Sequence, residues 1–590
     1  MKHNKVGNEM TKKKLLSLWL ALFTAQVFGA ERPNVIVIMT DDQGVGDFGF
    51  AGNQLIDTPN LDQLYKNGVH LEEFYVSPVC SPTRACLMTG RYNYRTRCID
   101  TYLGRSMMDP AEITIAEVLG TAGYRTGIFG KWHLGDNYPM RAMDQGFDES
   151  LIHKGGGLAQ PSEPRENGRR YTDPILFHNG EQVQTEGYCT DVYFDAAIDF
   201  VKKATADKDN FFVYLPTNAP HGPFHDVPQE LYDYYKQKDF ATITARKLKE
   251  GPQKAENDKL ARIFAMITNV DQNIGRLVQT LKDLGQLDNT MVIYLNDNGP
   301  NSARYVNGHR GVKSNVLEGG IRSPLIVHWP AQLKPGNWSA QVGAHIDLLP
   351  TIAEACGVKL KKKHHVDGMS LLPALTNTDA KTVPRTLVIQ SHRGNQPTLY
   401  HNFMIRRGDY KLVHPSGFGK ERFDGEPQFE LYDLGKDPGE TRNLVEEQPK
   451  VVRQLKEAYE AWFEDVSSTR KNNYEPPRIV LGSSHDPIGV LTRQDWRNGT
   501  WAPKSNGYWL VNVESAGSYD IKLVYDAVDE DETVKVEFGK AVLESTSTSG
   551  SDAVVIERVQ LVPGPQKVQA TLQAGDVSRG PYQVIVTKAR

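Results

Sequence analysis

An acidic pair, an acid–amide pair and one cysteine are the residues of this chain best suited to chemistry. Asp41-Asp42 and Asp297-Asn298 each stand just after a short run of branched and aromatic residues. Lys131 and His133 follow a third such run, and His221 follows a fourth. Singly, each suits a turn or a solvated surface: Asp42 leads into Gln43-Gly44 and Asn298 into Gly299, both good turn formers. Brought together, three carboxylates and an amide would repel one another without a cation. Oxygen-only donors favour a hard ion, and calcium tolerates several carboxylates in irregular geometry, whereas magnesium prefers to keep its waters. The paired histidine and carboxylate motif of zinc enzymes is missing from this set.

Cys80 opens the segment Cys80-Ser81-Pro82-Thr83-Arg84-Ala85-Cys86-Leu87-Met88-Thr89-Gly90-Arg91. From the residues alone it is a structural thiol, half of a disulfide, or a nucleophile. In the last case only about a few per cent is thiolate at neutral pH unless Arg84 lowers its pKa. Three residues separate Cys80 from Arg84, a shorter loop than that of the cysteine phosphatases.

The elements that must position these residues are legible as pattern. Runs at 35–39, 126–129, 211–215, 291–295 and 325–328 lack polar alternation, as buried strands do, and helix-length segments lie between them. In 260–281, Ile263, Ile267, Val270, Ile274, Leu277 and Leu281 recur at helical spacing. The expected fold class is α/β: a large, mostly parallel mixed sheet flanked by helices, whose carboxyl edge gathers the polar residues into one crevice. From about residue 380, short strands near 387–390, 403–406 and 411–414 precede a helix with Val452, Leu455, Tyr459 and Trp462 on one face, a smaller α+β subdomain. From about residue 471 helical periodicity stops. Strands at 509–513, 519–525, 534–538, 553–561, 567–572 and 582–586 predict an added all-β sandwich. There Trp496 and Trp501 either stack on sugar rings or pack in a core, the commoner use of tryptophan.

At 590 residues the chain exceeds one ordinary domain. The expected division is 1–30, 31–380, 381–470 and 471–590. Lys12, Lys13 and Lys14, the apolar run 15–28, then Gly29 and Ala30 read as a secretory signal peptide over 1–30, so the protein is expected to be exported, periplasmic or secreted. No later segment is long and apolar enough for a stable membrane span. Removing 1–30 takes away five lysines and one glutamate, moving the formal charge from -4 to -8. That acidic balance argues against nucleic acid as a partner, and any anionic substrate must be captured by local cations. Setting Cys80 aside, the four remaining cysteines allow three disulfide pairings, none deducible from sequence.

The twelve-residue segment from Cys80 to Arg91 resembles the signature of the cysteine-type, type I sulfatases of the alkaline phosphatase-like superfamily. Gly130-Lys131-Trp132-His133-Leu134-Gly135, Asn218-Ala219-Pro220-His221, Asn296-Asp297-Asn298-Gly299 and Arg310-Gly311-Val312-Lys313 are similar to further family motifs, in the family's order. Leu431-Tyr432-Asp433-Leu434, with Asp437-Pro438 and Asn443-Leu444, is similar to the subdomain that closes the active-site face. The resemblance implies that a formylglycine-generating maturation enzyme oxidises Cys80 to formylglycine (3-oxoalanine), whose hydrated aldehyde attacks sulfate monoesters. Asp41, Asp42, Asp297 and Asn298 would then hold calcium, with residue 80 as a further ligand. Arg84 would orient formylglycine and Lys131 would bind sulfate. His221 and Lys313 would bind sulfate and assist the leaving alcohol, with His221 as general acid. His133 would take the proton of the second hydroxyl as sulfate is expelled. The carboxylates Asp41, Asp42 and Asp297 match Arg84, Lys131 and Lys313 in number, so a divalent ion makes the pocket cationic, fit for a sulfate ester.

The β module makes a sulfated glycan the expected substrate. Phosphate or phosphonate monoester hydrolysis on the same scaffold, and a silent glycan-binding protein, are the alternatives. His309, Arg310, Arg304, His225, His153 and His392 are further candidates for substrate contacts.

Overall fold

The computed structural model describes residues 32–243, 249–469 and 474–589, so the expected signal peptide lies outside the described residues. The central sheet has ten strands. They are β1 (Asn34–Thr40), β2 (Val69–Leu71), β3 (Arg125–Lys131), β4 (Glu149–His153), β5 (Ile175–His178), β6 (Glu181–Gln184), β7 (Phe211–Pro216), β8 (Thr290–Asn296), β9 (Leu325–His328) and β10 (Asn337–Ser339). Their order across the sheet is β10-β2-β9-β8-β1-β7-β3-β4-β5-β6. The middle is parallel: β1 pairs with β7 and β8, and β3 with β7 and β4. β9 runs antiparallel to β8, and β5 and β6 form an antiparallel edge. The sheet is therefore mixed, as expected.

Every residue of β1 is buried because the sheet is covered on both faces. Val35, Val37 and Met39 enter one hydrophobic layer while Ile36 and Ile38 enter the other. Three helices matter for the site: α1 (Cys80–Thr89), α2 (Cys189–Asp207) and α3 (Glu250–Asp283). α3 sends Met266, Val270, Ile274, Leu277 and Leu281 into the second layer. It starts ten residues before the predicted 260, because polar helix formers from Gln253 to Glu256 extend it without an apolar face. α1 was not legible as a helix: all ten of its residues are buried, so no amphipathic period marks it.

A four-stranded antiparallel sheet follows, built from β11 (Thr386–Gln390), β12 (Phe403–Arg407), β13 (Tyr410–His414) and β14 (Glu430–Asp433). Helix α4 (Pro449–Ser467) packs Leu455 and Tyr459 onto Phe403, Ile405 and Leu412. The last region is two facing sheets. One holds β15 (Ile479–Leu481), β17 (Tyr508–Val513), β19 (Glu532–Phe538), β20 (Ala541–Ser547), β22 (Gly564–Ala574) and β23 (Val577–Arg579). The other holds β16 (Ile488–Thr492), β18 (Gly517–Val524), β21 (Ala553–Leu561) and β24 (Gln583–Lys588). Their shared core includes Trp496, Trp509, Ile521, Leu523 and Val536, joined by Met107 and Met140 from the first region. The edge strand β20 escaped prediction because it is mostly exposed. Among the described residues no helix is long and apolar enough to cross a membrane.

Candidate active site

The carboxyl ends of β1, β3, β7 and β8 meet at one edge of the sheet, and hydrogen bonds continue the pairing past the strands. The Asp41 amide donates to the Ala219 carbonyl (3.0 Å) and the Asp297 amide to that of Thr40 (2.9 Å). The Asp42 amide donates to Asp297 Oδ1 (3.1 Å), and Asn298 Nδ2 donates to Asp42 Oδ1 (2.8 Å). Asp42 and His133 sit at φ of 63° and 59°, left-handed conformations that cost a non-glycine residue about 1 kcal/mol or more and that concentrate at functional sites. Cys80 is the first residue of α1, so the positive end of that helix faces the carboxylates. Gly90 at φ 67° ends the helix, its amide bonding to the Cys86 carbonyl (2.9 Å).

Arg84, wholly buried, donates to the Lys131 carbonyl and to Asp297 Oδ2, both at 2.9 Å, and lies 3.5 Å from Asp41. Lys131 pairs with Asp41, and Lys313 pairs with Asp42 while standing 3.7 Å from Cys80 Sγ. His221 Nε2 is 3.8 Å from Asp42 Oδ2. Ligand atoms of Asp41, Cys80 and Asp297 lie within 4.8 Å of one another, as do those of Asp41, Asp42 and His221. Side-chain exposure is 17% for Lys313 and 21% for His221 but zero for Arg84, Lys131 and Asp41, so the mouth of the site lies at Lys313 and His221.

Burial and charge set the protonation states. Burial alone would raise Asp41, but Lys131, His221, Arg84 and Lys313 outweigh it and hold this carboxyl far below its usual range. Burial and then the Asp41 charge push Asp297 up to about 7. The Cys80 thiol is raised by burial, against the pull of Lys131 and Lys313. Burial lowers His221, while the charges of Asp42 and Asp41 favour its protonated form; burial lowers His133 much further, with added repulsion from Lys131 and Arg84. Three buried acceptors find no donor: Asp41 Oδ1, Asp42 Oδ2 and Asn298 Oδ1. All three are oxygens of residues gathered at this edge, and oxygens suit a hard cation. The donor set therefore fits a calcium-type ion.

Residues 33–358 match the sulfatase family profile, and residues 312–465 match the profile of the N-sulphoglucosamine sulphohydrolase C-terminal region. The chain belongs to the sulfatase family. It is 31% identical to human arylsulfatase A over 75% of this chain and 89% of that protein. It is 32% identical to the N-acetylgalactosamine-6-sulfatase of Sus scrofa, over 59% of this chain and 67% of that one. It is 26% identical to the N-acetylglucosamine-6-O-sulfatase of Bacteroides thetaiotaomicron, over 76% and 89%. The structure of Ps i-CgsB with k-i-k-neocarrahexaose is similar at 27% identity and a TM-score of 0.62, covering 75% of this sulfatase and 95% of that chain.

Within this sulfatase, the six further candidates have different surroundings. Arg304 is buried on Asp47 (2.6 Å) and donates to the Asp42 carbonyl (3.0 Å), so it braces the ligand loop from behind. His392 has both ring nitrogens engaged, Nδ1 with the Arg393 carbonyl and Nε2 accepting from the Thr398 amide, which leaves none for a substrate. His309 bonds to the Pro438 carbonyl (3.0 Å), and Arg310 to the Tyr432 hydroxyl (3.0 Å) and the Glu440 carbonyl, fastening the α+β region. His225 is exposed, its carbonyl accepting from Arg262 (3.4 Å). His153 is fully buried on Tyr193 (2.8 Å), across the ladder from Lys131. All five cysteines are buried and free.

Three residues with a part in the site escaped sequence reasoning. Thr83 donates to the Asp297 carbonyl (2.6 Å), a role its place in the cysteine motif could have suggested. Gly156 and Gly157 line the site: a Cβ on the first would meet His133 Cε1 at 2.9 Å, and one on the second would meet His221 Nδ1 at 3.4 Å. The run Gly155-Gly156-Gly157 was the available signal.

Proposed function

We propose that this sulfatase hydrolyses sulfate monoesters of a carbohydrate, using formylglycine made from Cys80 by a maturation enzyme and calcium held by Asp41, Asp42, Asp297, Asn298 and residue 80. The observation that carries this reading is the setting of Cys80. Its Sγ stands among Asp41 and Asp297 with its thiol pushed up by burial. A thiol that stays protonated among carboxylates is a poor nucleophile, so the surroundings suit an oxygen group at this position better than sulfur. The names of the relatives, N-acetylgalactosamine-6-sulfatase and N-acetylglucosamine-6-O-sulfatase, support a sugar sulfate, and so does the oligosaccharide named with Ps i-CgsB.

Formylglycine at position 80 would supply a hydrated aldehyde, an oxygen nucleophile toward the sulfate ester. Calcium supplies a Lewis acid for the ester oxygens. Lys131 and Lys313 hold positive charge where it accumulates negative in the transition state. Arg84 fixes Asp297 and the Lys131 backbone, keeping the anion-binding edge rigid. His221, at the mouth of the site, is placed to protonate the leaving alcohol, and His133, buried and neutral, to accept a proton. In this reading residues 1–30 export the protein to the periplasm or beyond.

The test joins mass spectrometry of the Cys80 peptide to hydrolysis assays on a panel of defined sulfated oligosaccharides. Conversion of the thiol to an aldehyde with release of sulfate is expected, and Cys80→Ala should fold but release none. An unmodified Cys80 in active protein would sink the mechanism. A preference for phosphate esters of about tenfold or more in kcat/KM would move the assignment to phosphoryl transfer. A phosphonate monoester hydrolase from Silicibacter pomeroyi shares the fold at a TM-score of 0.54 and 21% identity.

A further inference from the structure

The two-sheet sandwich meets the catalytic edge at the Thr101 carbonyl, which His133 and Gln494 share. The ring of His133 is buried, and its Nε2 lies 2.8 Å from the Thr101 carbonyl. A carbonyl only accepts, so Nε2 carries the hydrogen and Nδ1 keeps the lone pair. Nδ1 is buried with no partner. The same Thr101 carbonyl accepts a second bond, from Nε2 of Gln494 in the loop after β16 (3.1 Å). In return the Gly104 amide donates to the Gln494 carbonyl (3.1 Å). Gln494 thus clamps both ends of the segment 101–104.

Two other contacts fasten the same segments to the sandwich. Tyr102 packs edge-on against Trp501, with ring centroids 5.3 Å apart. Beyond His133 in sequence, Asn137 exchanges two bonds with the Val490 backbone (3.0 and 3.1 Å). His133 is therefore held from both sides by segments fastened to the sandwich.

We infer that Gln494 is a positioning residue for His133: it fixes the Thr101 carbonyl that selects the His133 tautomer, so the sandwich is a working part of the active site. This rests on the sulfatase mechanism proposed above, in which His133 accepts a proton through its free nitrogen. Nothing in the sequence around Gln494 signals this role, because its partner lies 393 positions away.

The experiment uses the full-length chain in three variants. Q494M keeps the size of the side chain without a donor, Q494E places a carboxylate against the carbonyl, and Q494H restores an N–H at similar reach. With matured enzyme and a sulfated oligosaccharide substrate, Q494M and Q494E should lower kcat by about tenfold or more. KM should stay within about twofold, and Q494H should recover most of the loss. Nitrogen-15 NMR of the His133 ring, in protein with Cys80 unconverted, should show the Nε2–H form in the wild type and a mixture in Q494M. Wild-type kcat in Q494M and Q494E would overturn the inference, as would an equal loss in all three variants or an Nδ1–H ring in the wild type. If the wild type releases no sulfate at all, the functional reading fails, while the NMR still decides whether Gln494 sets the tautomer.

Discussion

Asp41 and Asp297 divide one proton between them: the cations around Asp41 keep it ionised, and burial beside that charge makes Asp297 hold a proton up to about pH 7. Asp297 is then raised above its unfolded value, so the folded, metal-free protein binds the proton more tightly than the unfolded chain. Its stabilising contribution is complete below about pH 4 and is lost as pH rises toward 7. Calcium binds the ionised form and should reverse the trend. Chelator-treated protein should show a larger gain in Tm on adding calcium at about pH 7.5 than at about pH 5, where proton and ion compete. An equal gain at both values would place the ion elsewhere. Asp297→Ala should weaken calcium binding by about tenfold or more, read by titration calorimetry, and unchanged metal content would refute this ligand. At this scale the sequence showed which side chains have the right chemistry. It did not show that Arg304 and His392 are already engaged, because their partners at Asp47 and Thr398 are matters of packing.

The elements explain why residues so far apart act together. Parallel strands begin at one edge of a sheet and end at the other, so the residues after β1, β3, β7 and β8 converge whatever lies between them. The apolar runs made this edge legible. The helix that presents Cys80 was not, since a helix buried on every side has no periodic face. Close backbone approach is a second requirement. A Cβ on Gly299 would come 2.1 Å from the Gly319 carbonyl oxygen and 2.8 Å from Gly320 Cα, and these are backbone atoms that cannot swing aside. Gly299→Ala should therefore displace the end of β8, costing about 1–3 kcal/mol by chemical denaturation and weakening calcium binding with it. Full stability and affinity in this variant would show that the loop has slack.

For the whole molecule, the contact between the sandwich and the catalytic region is apolar as well as polar. Met107 and Met140 belong to the sandwich core, and Leu103 packs against it. A chain ending near residue 470 would expose this surface and lose the hold on the Thr101 segment. We expect such a truncation to aggregate or to lose turnover while the full chain stays soluble and active, as sedimentation and sulfate release would show. A soluble, fully active truncation would make the sandwich dispensable. The sequence by itself determined the α/β class, the sandwich and the identity of the residues at the sheet's edge, because hydrophobic period and motif order are local properties of the chain. Only the tertiary structure decided which acceptors are left without donors, which histidines are engaged and how Gln494 reaches His133's partner. Those outcomes depend on distances between residues hundreds of positions apart, which no local pattern encodes.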